Sequence, residues 1–126
     1  MNRGLTLDAG ALIALDRNDR RVLALLQHCA ETAERITIPT TALAQAARSL
    51  SRQARLSRLL RQATSDVRSL DRPDAVAAGR LLALSGTADI ADAHVVVCAR
   101  RAGQAVVTTD PDDLRRLDPT LRLLAL

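Results

Sequence analysis

No phenylalanine, tyrosine or tryptophan occurs among the 126 residues. The chain therefore lacks the stacking platforms on which single-stranded nucleic-acid modules usually hold their bases. Its core must be built from Leu, Val, Ile and Ala, which suits helices laid on a sheet better than an aromatic-rich sandwich. Lysine is absent too, so the cationic side of the formal net charge of +4 is entirely arginine. That absence excludes the P-loop, which needs its Lys, and Schiff-base chemistry, which needs an amine. Only two cysteines are present, Cys29 and Cys98. Both fall on predicted helices without metal-ligand spacing, so buried reduced thiols are expected. No apolar run approaches the ~18 residues of a membrane span, and the first residues do not read as a signal peptide. The expectation is one domain over residues 1–126, soluble and cytoplasmic, burying roughly two-thirds of its unfolded surface.

What is present is an alternation of short strands and helices. Leu5, Thr6 and Leu7 read as a strand, and Asp8 followed by small residues opens a helix running to Leu15. The turn Asp16–Asp19 leads into a second helix with Val22, Leu23, Leu26 and Ala30 on one face. Arg35–Ile38 is a strand, punctuated by Pro39, Thr40 and Thr41 before helical spacing resumes at Leu43, Ala44 and Ala47. Ser49–Thr64 reads as one amphipathic helix. Leu56, Leu59, Leu60 and Ala63 share a face of it, and Arg48, Arg52 and Arg55 share a neighbouring one. Asp66–Leu70 can form a strand. A helix starts at Arg72-Pro73-Asp74, with Pro in its first turn, and ends near Ser85-Gly86. The next runs from about Asp89 to Ala102 and is closed by Gly103. Ala105–Thr109 is a strand, Asp110-Pro111-Asp112-Asp113 a strong helix start, and Leu121–Leu126 an edge strand. Alternation of this kind predicts an α/β fold with a central, mostly parallel sheet covered on both faces.

In such a sheet the carboxyl ends of the strands reach one edge, where ligands bind. Asp8 follows the first strand and Asp110 follows AVVTT. Asp89 and Asp92, three residues apart, share a face at the start of the helix between them and that strand. Each acid also has a plain structural reading. Asp8, Asp89 and Asp110 are good N-caps, and Asp92 is an acid in a first turn. Together, however, they gather several negative charges on one side of a basic protein. With lysine absent, arginine or a metal must neutralise them. Carboxylate oxygens with room for water suit Mg²⁺ or Mn²⁺. The chemistry that fits is phosphodiester hydrolysis, in which such an ion acidifies a water and offsets transition-state charge. Arginine is suited to holding the phosphate backbone.

These stretches carry a resemblance. LDAGALIAL, IPTTALAQAAR and TADIADAHVVVCARRAGQAVVTTDPDDLRRL look like the PIN-domain family, most of all the VapC-type toxins of type II toxin–antitoxin pairs. The resemblance covers nearly the whole chain, and DAH, the AxRxG turn and VVTTDPDDL are its specific part. It implies a three-layer α/β/α sandwich and a small Mg²⁺- or Mn²⁺-dependent ribonuclease. The family's acid positions map onto Asp8, Asp92 and Asp110, with Asp89, Asp112 and Asp113 beside them. It also implies homodimers, and inhibition by a small antitoxin that often inserts an Arg among the acids. In the stretch resembling P-x-x-x-L-A-E the family carries a metal-site Glu, where this chain has Gln45. Thr40, Thr41, Leu43, Ala44 and Arg48 otherwise fit. A Gln carbonyl can ligate a hard ion or hold a water, but it brings no charge.

His94 lies two residues from Asp92, about 200° around a helix, so the two do not face one site. His28 has no acidic partner in view. The Arg48/Arg52/Arg55 row is either a solvated face or, beside an acidic cleft, a track for an RNA backbone. Thr108 and Thr109 read as ordinary strand residues, although a hydroxyl near Asp110, such as that of Thr109, could hold a water. Two functions remain: a toxin endoribonuclease acting on RNA, and a PIN-like domain that binds RNA or an antitoxin without cutting. Gln45 separates them.

Overall fold

A computed structural model of the chain describes residues 4–48 and 53–126. Among the described residues there are five strands: β1 (Leu5–Leu7), β2 (Ile36–Pro39), β3 (Ser65–Arg68), β4 (Ala105–Thr108) and β5 (Leu123–Ala125). They form one sheet in the order β3-β2-β1-β4-β5, and all four pairings are parallel. Among the described residues seven helices connect and cover them: α1 (Ala9–Asp16), α2 (Arg20–Glu31), α3 (Thr40–Ala46), α4 (Ala54–Leu60), α5 (Arg72–Ser85), α6 (Ile90–Ala102) and α7 (Pro111–Leu117). Helix α1 packs against α2 and α4, while α5, α6 and α7 pack against one another. Two helical groups with a sheet between them make the three-layer α/β/α sandwich. The short α3 touches both α1 and α6.

The sheet is buried on both faces, so its central strands read as nearly continuous apolar runs. Leu7, Ile36, Ile38, Val106 and Val107 are almost wholly buried, against Leu12 of α1 and Val95 and Val96 of α6. Gly4, with φ +66°, allows the chain to enter β1 beneath the Arg35 carbonyl, which accepts the Leu5 amide at 3.0 Å. A Cβ at Gly4 would overlap that carbonyl. Gly86 and Gly103 close α5 and α6 in the left-handed conformation, as expected of Gly at that position.

The strand order has one reversal. Chain order runs outward from β1 to β2 and β3, then returns to β4 on the other side of β1. The crevice at such a reversal, beyond the carboxyl ends of the two flanking strands, is where open α/β sheets bind ligands. Here those strands are β1 and β4, and the residues next beyond them are Asp8 and Thr109-Asp110.

Two expectations are corrected. The helix expected over residues 49–64 covers only Ala54–Leu60 among the described residues, and Ala63 lies beyond it, exposed. Asp110 occupies the cap position of α7 with φ −136°, but its side chain makes no capping hydrogen bond. Among the described residues no single helix is long and apolar enough to cross a membrane.

Candidate active site

The site is built outward from Asp8. Its amide donates to the Val107 carbonyl at 3.3 Å, tying the end of β1 to β4. Its carboxylate caps α1, accepting the Ala11 amide at 2.8 Å. Asp8 is 5% exposed. Burial pushes its carboxyl above the usual range, opposed by hydrogen bonds from the Thr108 hydroxyl and the Ala11 and Gly10 amides. The Thr108 hydroxyl also accepts the Asp110 amide at 2.8 Å. One buried threonine thus fastens the two acids that end neighbouring strands.

From the other side comes the start of α6. Asp89 caps that helix, accepting the Asp92 amide at 2.9 Å. Asp92, half-buried in the first turn, is pushed up to about 7, first by burial and then by the charges of Asp89, Asp8, Asp113 and Asp110. Asp110 is also raised, chiefly by a hydrogen bond with the Asp113 carboxyl and then by Asp113, Asp112 and Asp8. A small pocket of about 140 Å³ opens between α6 and α7, lined by Asp89, Asp92, Asp113 and Arg116 among others.

Salt bridges engage the flanks of this edge but not its centre. Arg115 reaches Asp112 at 3.3 Å and Arg116 reaches Asp113 at 3.9 Å, both exposed. Among the described residues none reaches Asp8, Asp92 or Asp110. An all-oxygen donor set with unbalanced charge fits a hard divalent ion that keeps some of its water. The edge acids are not tightly drawn together. Among the described residues the one trio of His, Cys, Asp and Glu ligand atoms lying mutually within 4.8 Å is Asp74, His94 and Cys98, further along α6.

The remaining sequence candidates divide. Thr109 is exposed and packs so closely on Gly10 that a Cβ there would collide with its hydroxyl. The hydroxyl that serves the acids belongs instead to Thr108, whose inward side chain follows from the pairing of β4 with β1 and β5. Gln45 is exposed near the end of α3, the helix that touches both α1 and α6. Arg48 follows the end of α3 and Arg55 lies on α4, where it donates to the Asp16 carbonyl at 3.4 Å. The two do not share one helix, and Arg52 lies outside the described residues.

With this geometry in hand, a model of the PIN domain family matches residues 5–118. The chain belongs to the PIN domain family. No curated protein matches it. Solved structures do. VapBC2 from Rickettsia felis bound to a promoter DNA fragment aligns at TM-score 0.72 and 18% identity, over 97% of this chain and 98% of that one. DNA-bound VapBC from Salmonella typhimurium aligns at TM-score 0.70 and 20% identity, over 97% of each. FitAcB from Neisseria gonorrhoeae aligns at TM-score 0.63 and 16% identity, over 95% and 96%. At these identities the likeness establishes the PIN fold, and the acids of this PIN domain must speak for its chemistry.

Proposed function

We propose that this PIN domain is a metal-dependent endoribonuclease serving as the toxin of a toxin–antitoxin pair. The observation that carries the reading is the placement of Asp8 and Asp110 at the ends of β1 and β4, beside the start of α6. There burial and neighbouring acids raise the Asp92 carboxyl, and among the described residues no salt bridge reaches Asp8, Asp92 or Asp110. Asp8, Asp92 and Asp110 hold Mg²⁺ or Mn²⁺, with Asp89 in support and Asp112 and Asp113 at the rim. When bound, the ion acidifies a water and offsets charge on the phosphoryl transition state. Thr108 holds Asp8 and the Asp110 backbone in register. Arg48, Arg52 and Arg55 are the proposed contacts to the RNA backbone, and single-stranded RNA is the substrate class. A small antitoxin is a proposed protein partner, in line with the VapBC and FitAcB structures among the neighbours, and a second copy of this chain is proposed beside it.

The second reading, a domain that binds RNA or an antitoxin without cutting, is favoured by Gln45. An amide in place of a carboxylate removes attraction for a cation worth roughly 1 kcal/mol at 4 Å in water and ~4 at an effective dielectric of 20. A few kcal/mol is about a hundredfold to a thousandfold in metal affinity. The test is cleavage of a single-stranded RNA by antitoxin-free protein in Mn²⁺. Weak cleavage by the wild type, stronger cleavage by Gln45→Glu and none after Asp8→Asn are expected. If wild type and Gln45→Glu are both inert, the binding reading replaces the enzymatic one.

A further inference from the structure

A second group of metal-ligating side chains lies outside the acidic edge. His94 and Cys98 are one turn apart on α6, and Asp74 comes from the first turn of α5, the helix packed against it. All three are buried, and a ring nitrogen, the thiol sulfur and a carboxylate oxygen lie within 4.8 Å of one another. A tetrahedral Zn²⁺ site, with bonds of about 2.0–2.3 Å, places its ligand atoms roughly 3.5 Å apart. The contraction required is within the reach of side-chain rotation.

His94 provides an independent observation. Its Nδ1 meets the Thr41 hydroxyl at 2.7 Å, while Nε2 is wholly buried and has no hydrogen-bond partner. The Ser69 carbonyl approaches the ring closely enough to favour its protonated form, but makes no bond of good geometry to Nε2. Buried polar atoms are rarely left in that state. In the tautomer that carries its proton on Nδ1, the Thr41 hydroxyl accepts the hydrogen bond, the Nε2 lone pair is free and the ring is held in one orientation, which is how metal-ligating histidines are usually supported. The Asp74 carboxylate is held by Arg101 at 2.6 Å, but the Arg101 side chain is half-exposed and can turn to solvent. Asp74 and Cys98 also line a pocket of about 230 Å³ with Thr37, Asp66, Arg68 and Arg101, which leaves room for a water as fourth ligand.

We propose that Asp74, His94 and Cys98 form a metal site for Zn²⁺, separate from the acidic edge, that clamps the start of α5 to the middle of α6. The mixed oxygen, nitrogen and sulfur set selects a borderline-soft ion over Mg²⁺. As the Zn–S bond forms, the Cys98 thiol gives up its proton to solvent. The Asp74, His94 and Cys98 site stands whether or not the acidic edge cleaves RNA.

The test uses the full chain, reduced and stripped with chelator, titrated with Co²⁺ as a spectroscopic stand-in for Zn²⁺. The expected result is a thiolate-to-cobalt charge-transfer band that saturates at one equivalent and is displaced by Zn²⁺. It persists in Asp8→Asn and in Cys29→Ser and disappears in Cys98→Ser. Thr41→Val, which removes the hydroxyl behind Nδ1, weakens binding by roughly 10- to 100-fold. No band in the wild type, or a band that survives Cys98→Ser, overturns the site. Should Cys98→Ser fail to fold, alkylation of the wild type mapped by mass decides: Zn²⁺ protects Cys98 but not Cys29, and equal labelling of Cys98 with and without Zn²⁺ refutes the proposal.

Discussion

Replacing Asp92 by Asn should stabilise the metal-free protein at alkaline pH while removing its response to Mn²⁺. The carboxyl moves from an ordinary 3.8 to about 7 in the folded chain. Between those values the folded state holds a proton that the unfolded state has released, so stability falls as pH rises through the window. At 1.36 kcal/mol per pH unit the full loss is on the order of 4 kcal/mol. Asp92 is only half-buried, so solvent screening reduces this to roughly 2 kcal/mol. Loss of a favourable acid in the first turn of α6 takes back about 0.3–1 kcal/mol. The net gain is therefore about 1–2 kcal/mol above pH 7 and none near pH 4. Unfolding entropy of ~2.1 cal/mol/K per residue converts that to about 4–8 °C for a chain of this size. The assay is differential scanning fluorimetry at pH 4 and pH 8, in chelator and in millimolar Mn²⁺. The wild type should gain from Mn²⁺ by mass action, approaching ~2.7 kcal/mol at a hundred times Kd, and Asp92→Asn should gain little. A Tm for Asp92→Asn equal to or below that of the wild type at pH 8 in chelator would refute a raised Asp92 carboxyl, and with it the burial and neighbouring charge on which the site rests.

Two further outcomes follow from particular contacts. Thr108→Val strands the Asp110 amide and removes a donor from Asp8, so we expect a loss of about 1–3 kcal/mol in urea unfolding together with a further rise of the Asp8 carboxyl, read by NMR titration. Arg48→Ala combined with Arg55→Ala should flatten the salt dependence of single-stranded RNA binding by ~0.7 in log–log slope per lost phosphate contact, and an unchanged slope in fluorescence anisotropy would place the RNA track elsewhere.

The alternation of strand and helix was legible because each element carried its own punctuation. Asp8, Asp19, Asp71 and Asp89 all cap the helices they precede, and Gly86 and Gly103 end theirs. The edge where the acids meet was legible for the same reason, since a parallel sheet delivers every strand end to one side. What local pattern could not supply is the tertiary detail. Leu56, Leu59 and Leu60 kept helical spacing with residues beyond α4, so periodicity ran on where the helix had stopped. Which of two adjacent threonines faces the acids depended on strand register, and it is Thr108 rather than Thr109. The partner of His94 and Cys98 is Asp74, some twenty residues earlier on another helix, and no spacing rule joins them. Thr41, which orients His94, is more distant still.

Capping explains some of the edge acids and not others, and the division is instructive. Asp8 and Asp89 do cap helices, with amide bonds of 2.8 and 2.9 Å. Had capping been the whole purpose of the cluster, each acid near a helix start would be held below the usual carboxylate range, because free amides and the helix dipole favour the charged form. Asp19, a cap with no other acid acting on it, is held low, chiefly by the Arg21 guanidinium and further by the Arg21 and Val22 amides. Asp92 sits in the first turn of α6 and moves the opposite way, to about 7. Asp110, at the cap position of α7, makes no capping bond and is raised by its acidic neighbours. Asp8, with its cap intact, ends above its ordinary value for a different reason, its burial. Burial and neighbouring acids hold Asp92 and Asp110 above their ordinary values despite their places at helix starts. The cation proposed at the reversal between β1 and β4 is the counterweight that would offset this cost.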